Sequence, residues 1–80
     1  MPTMMLTAPQ SRAARGLLGI SQGDLAERSG VGLRTIAGFE AGKTMPIRAN
    51  LAAIQRALEA AGVQFTKHGV ELVQQKESAA

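Results

Sequence analysis

The chain has 80 residues, nine basic and six acidic, for a net charge of +3, and no cysteine. That is the length of one small domain, which buries only about 60% of its unfolded surface and gains from a dimer or a bound partner. Disulfide frameworks and thiolate metal sites are excluded, and with Phe39 and Phe65 as the only aromatic residues a stacking platform for single-stranded nucleic acid is excluded too.

The opening MPTMML has neither a basic leader nor a long apolar run. No signal peptide and no membrane span are expected, and the chain reads as cytoplasmic. Residues 1–6 show no period and are expected to form a flexible N-terminus. Thr7-Ala-Pro-Gln10 forms a capping box, and Pro9 suits a first helical turn because its missing N–H has no intrahelical partner. A first helix follows to about Leu18 with Ala14, Leu17 and Leu18 as its apolar face, and Gly19 ends it. Ser21 to Asp24 is a second box-like start. The second helix runs to about Ser29, and Gly30 is a natural left-handed stop. A third helix is expected over Leu33 to Ala41, ended by Gly42, with Ile36 and Phe39 facing inward beside Glu40.

The fourth helix has the clearest period. Ile47, Leu51, Ile54, Leu58 and Ala61 step by four, three, four and three. Its start lies between Pro46 and Asn50, and Gly62 ends it. Val63, Phe65, Val70 and Leu72 then alternate around a Lys67-His68-Gly69 turn, which predicts a β-hairpin. The expected fold class is therefore mainly α: a compact four-helix domain over 7–73, helical through 62, with a short C-terminal hairpin over 63–73. A flexible polar tail over 74–80 follows.

The stretch Gln22 to Ile36, QGDLAERSGVGLRTI, carries the most chemical information. Ala26 sits where two helix axes would cross, and Gly30 sits at the turn between them. Leu25, Val31 and Ile36 fill the wedge. That arrangement is a helix-turn-helix, whose second helix enters the DNA major groove. The wider run Arg12 to Gly62 resembles the phage Cro and repressor-like family, also called the xenobiotic-response-element type. The marks are SQGDLAERSGV, the Thr35-Ile36 pair, FEAGK with Glu40 and Gly42, Pro46, and LAAIQRALEAAG followed by Val63.

The resemblance implies roles. Gln22 matches the glutamine that contacts a backbone phosphate, reinforced there by the helix dipole. The third helix would read bases through its outward positions Gly32, Leu33, Arg34, Thr35, Ala37 and Gly38. Lys43 and Arg48 match phosphate-contacting positions. Arg15 and Glu40 match a structural ion pair joining the first helix to the third. The partner would be duplex DNA.

This chain departs from the family on that outward face. Relatives carry serine, arginine, lysine or glutamine there, and here only Arg34 and Thr35 can hydrogen-bond. Base discrimination rests on bidentate groups worth ~1–3 kcal/mol each. Arg34 could take a guanine and Leu33 a thymine methyl. Gly32 replaces a serine cap, a loss of about a few tenths of a kcal/mol, and Gly38 inside a helix costs up to ~1 kcal/mol against alanine. A small apolar face is also suited to docking on a protein. The alternative partner is accordingly a transcriptional activator, held by an antiactivator of the kind that restrains conjugative element transfer.

The remaining features are quieter. His68 has no second ligand or nucleophile near it, so no metal, cofactor or catalytic role is expected. Met1, Met4 and Met5 read as tail or gap-filler. Ala53, Ala57 and Ala60 line a mostly core helix. The hairpin is either a lid on the core through Val63, Phe65 and Leu72 or an edge for a homodimer. No catalytic triad, paired-carboxylate cleft or phosphate loop is present, and no enzyme is expected.

Overall fold

A computed structural model describes residues 5–67 and 69–73. The assignments made above for Met1, Met4, His68 and the 74–80 tail lie outside these residues. The described chain forms α1 (Ala8–Leu18), α2 (Gln22–Ser29), α3 (Leu33–Glu40), α4 (Arg48–Ala61), β1 (Val63–Phe65) and β2 (Val70–Leu72). Four helices with a terminal antiparallel hairpin are what the sequence pattern predicts.

Both capping boxes form. The Gln10 N–H donates to Thr7 Oγ1 at 3.2 Å while the Thr7 N–H donates to Gln10 Oε1 at 3.0 Å. Ser21 and Asp24 exchange the same pair of bonds, each at 3.0 Å. These bonds satisfy orphan N–H groups at two helix starts, so α1 and α2 begin where the sequence places them. The third helix stops at Glu40 with Ala41 as its cap, one residue short of expectation. The fourth begins at Arg48, within the expected span between Pro46 and Asn50.

One core joins all the helices to β1. Ala14, Leu25, Val31, Ile36, Phe39, Leu51, Ile54, Leu58 and Val63 are buried in it. Four apolar residues depart from expectation. Leu6 is 3% exposed and belongs to this core rather than to a loose terminus; a short apolar run without a helical or strand period does not mark which of its residues is buried. Leu17 is exposed. The inner line of α1 runs through Ser11, Ala14 and Leu18, because Ser11 has an interior partner, and this turns Leu17 outward. Ile47 is 69% exposed, since it is the extended N-cap of α4 (φ −61°, ψ 158°) and stands outside the helical repeat. Leu72 is also exposed, although it pairs with Val63 in the hairpin register.

The hairpin pairs Val63 with Leu72, Gln64 with Glu71 and Phe65 with Val70. Its closure is fixed by the Thr66 N–H to the Gly69 carbonyl at 2.8 Å and the Val73 N–H to the Gly62 carbonyl at 2.7 Å. The Gln10 amide reaches across from α1 to the Gly69 carbonyl at 3.2 Å. The lid therefore rests on Val63, with Phe65 and Val70 partly buried against the core, and Leu72 is not part of it. Among the described residues no helix is long and apolar enough to cross a membrane.

The contrast between Leu58 and Ile47 is directly testable. Leu58→Ala removes a fully buried side chain and should cost about 2–5 kcal/mol in urea unfolding. Ile47→Ala should stay within roughly 0.5 kcal/mol of the parent, as exposed positions do. A comparable loss at both positions would contradict this placement of Ile47.

Candidate nucleic-acid interface

The interface is built from the α2–α3 turn outward. Gly30 closes α2 at φ 76°, a left-handed conformation that glycine adopts without a Cβ clash. Its N–H donates to the Ala26 carbonyl at 2.9 Å, and the Val31 N–H donates to the Ser29 hydroxyl oxygen at 3.1 Å. Leu25, Val31 and Ile36 are buried in the wedge and Ala26 is half-buried at the crossing.

With Ile36, Phe39 and Glu40 buried, a 100° step per residue sets the crest of α3 at Arg34 and Gly38, flanked by Thr35 and Ala37, with Leu33 in the first turn on the Glu40 side. Gly32, Leu33 and Arg34 are exposed, and Thr35 and Ala37 are half-buried. Lys43, in the loop after α3, and Arg48, first in α4, are both exposed. Gly32 caps α3 without a side-chain hydrogen bond.

Gly38 is not an open position. The loop after α3 folds back over it, with the Lys43 and Thr44 N–H groups donating to the Gly38 carbonyl at 2.9 and 3.3 Å. A Cβ at residue 38 would lie 2.8 Å from Thr44 Oγ1, closer than side chains pack. The glycine that looks costly from sequence is what permits this approach, and Thr44 is a neighbour that sequence spacing did not mark.

Behind the crest lies a buried carboxylate. Glu40 is 2% exposed and holds three helices together. Arg15 of α1 meets it with Nη2 to Oε1 at 2.7 Å and Nε to both oxygens at 3.1 Å. The Ser11 hydroxyl donates to Oε2 at 2.5 Å. Gln22, first in α2, donates its amide to Oε1 at 3.0 Å. The Arg12 guanidinium donates to the Glu40 backbone carbonyl, and Arg15 also reaches the Ile20 carbonyl at 3.2 Å. Sequence reasoning had the Arg15–Glu40 pair through family resemblance. It missed Ser11, whose only signal was its position one turn before Ala14 on the inner line of α1.

Gln22 is thus tied to the core rather than free at the surface. Because a carboxylate only accepts, its amide nitrogen must face Glu40. One Nε2 proton and the backbone N–H at the helix start remain, and Gln22 is half-exposed. The structure brings Arg15, Gln22 and Glu40 into one cluster; Lys43 and Arg48 make no side-chain bond to it among the described residues.

A family model described as helix-turn-helix, of the Cro/C1 type, matches residues 12–61. The chain belongs to the Cro/C1-type helix-turn-helix family. Members are DNA-binding regulators, and the family is not one of enzymes. No curated protein matches the chain. Among the described residues no cluster of His, Cys, Asp or Glu could hold a metal ion.

Burial pushes the Glu40 carboxyl up, but the hydrogen bonds from Arg15, Gln22 and Ser11, with the Arg15 charge, outweigh that and hold it below its ordinary value. The Arg15 guanidinium is raised by the same bond. A depressed carboxylate pKa stabilises the fold above the unfolded value, and that contribution is lost as pH falls through the folded one. Urea unfolding should therefore show stability falling below about pH 4.5, the ordinary value. Glu40→Gln should flatten that fall, and Glu40→Ala, which strands Arg15 and Ser11, should cost about 3–5 kcal/mol at neutral pH. An unchanged acid profile in Glu40→Gln would refute this role.

Proposed function

We propose that the protein is a transcriptional repressor that reads duplex DNA by laying α3 in the major groove, in the cytoplasm and as a homodimer. Arg34 carries the reading. It is exposed at the crest of a helix whose opposite side is locked into the core, so its guanidinium can project to a guanine edge without leaving the fold. Leu33 beside it suits a thymine methyl. Gln22, Lys43 and Arg48 are the phosphate contacts, with the N-terminal end of α2 adding its dipole to Gln22. Two copies would place their α3 helices in half-sites about 34 Å apart.

Leu33 also favours a second reading. It is 51% exposed and lies between Gly32 and Ala37 on a face with one formal charge. An antiactivator would press that face against a transcriptional activator protein.

Titrating labelled duplex DNA at two salt concentrations tests the first reading. Binding at ~50 mM salt should weaken steeply toward ~200 mM as phosphate counterions are released. Arg34→Ala should cost about 1–3 kcal/mol and relax base preference. Absence of binding at the lower salt would overturn the repressor reading. In the antiactivator, Leu33→Asp would damage partner binding more than Arg34→Ala.

A further inference from the structure

We propose that Thr44 is a specificity-determining residue, a base-reading side chain supplied from the α3–α4 loop to the position that Gly38 leaves bare. The proposal rests on the groove-reading assignment of α3 and extends it to a residue outside that helix.

Gly38 lies one turn beyond Arg34 on the crest, where an ordinary residue would project away from the core. The loop does not leave that space empty. Two N–H groups, from Lys43 and Thr44, converge on the Gly38 carbonyl and hold the loop against the helix. Thr44 Oγ1 then lies 2.8 Å from where a Cβ on residue 38 would be, with its Cβ and Cγ2 each at 3.9 Å. The hydroxyl, rather than the methyl, is the atom nearest that position. It stands roughly two bond lengths from the missing Cβ, inside the volume a side chain at 38 would fill. Thr44 is an exposed residue, on the side of α3 that a ligand lying on the helix would cover.

The chemistry suits a base edge. A threonine hydroxyl both donates and accepts, so it can meet an N7 or O6 acceptor or an exocyclic amine. Its single hydrogen bond discriminates less than a bidentate arginine. It would set a preference at one base pair, separate from the pair read by Arg34. The glycine and the threonine act together: any side chain at 38 would displace the hydroxyl.

The test is selection of preferred sites from a randomised duplex pool. The parent is compared with Thr44→Val, which keeps the branched shape and removes the hydroxyl, and with Gly38→Ala, which pushes the hydroxyl aside. Thermal unfolding checks that each variant is folded. Both variants should lose preference, by roughly fivefold and less than for a bidentate contact, at one shared base pair distinct from the pair relaxed in Arg34→Ala. The slope of affinity against salt should be unchanged, because no phosphate contact is lost. Thr44→Val is the deciding variant, since an exposed residue is dispensable for folding. A Thr44→Val protein with full preference overturns the proposal, as does uniform weakening on all sequences, which marks a phosphate contact. A parent that binds no duplex overturns the groove-reading assignment itself, and with it this proposal.

Discussion

The buried carboxylate of Glu40 is the constraint on which the rest of this small domain depends. An ionised group 2% exposed is tolerable only when its lone pairs are matched by donors. Here the donors come from two other helices: Ser11 and Arg15 from α1, Gln22 from α2. Satisfying Glu40 therefore fixes the relative placement of α1, α2 and α3, because a shift of any one strands a buried polar group. Apolar contacts hold the domain together without direction, and the carboxylate sets the angles.

That placement has a functional consequence. The three residues turned inward on α3, Ile36, Phe39 and Glu40, leave Arg34 and Gly38 at the crest with no freedom to rotate inward. The same carboxylate orients the Gln22 amide at the start of α2, the position proposed to meet a phosphate. Stability and presentation of the surface thus share one group. The sparse crest is compensated in part by the loop after α3, whose fold over Gly38 turns a gap in the helix into a seat for a hydroxyl.

Much of this was legible in the sequence. Ser21 with Asp24, Thr7 with Gln10, and Gly30 are local devices whose chemistry acts within four residues, and each sits where it was read. The helix-turn-helix was legible because its wedge of Leu25, Val31 and Ile36 has a fixed spacing. What failed depended on structure that side-chain periodicity does not encode. Ser11 is polar and was not read as part of the α1 inner face, because its interior partner lies 29 positions away, and recruiting it turned Leu17 outward. Ile47 continued the α4 repeat on paper, but the chain is extended there, so periodicity had no meaning. Gly38 read as a bare patch because the loop that covers it returns through backbone hydrogen bonds, which carry no side-chain signature.

The most direct test of the account is to map amide and side-chain shifts of the labelled protein by NMR as a binding duplex is added at low salt. Perturbations should centre on Gln22, on Leu33, Arg34 and Ala37 of α3, and on Lys43, Thr44 and Arg48, with the Ile54–Leu58 core unmoved. Perturbations centred on the hairpin instead, or none along α3, would contradict it.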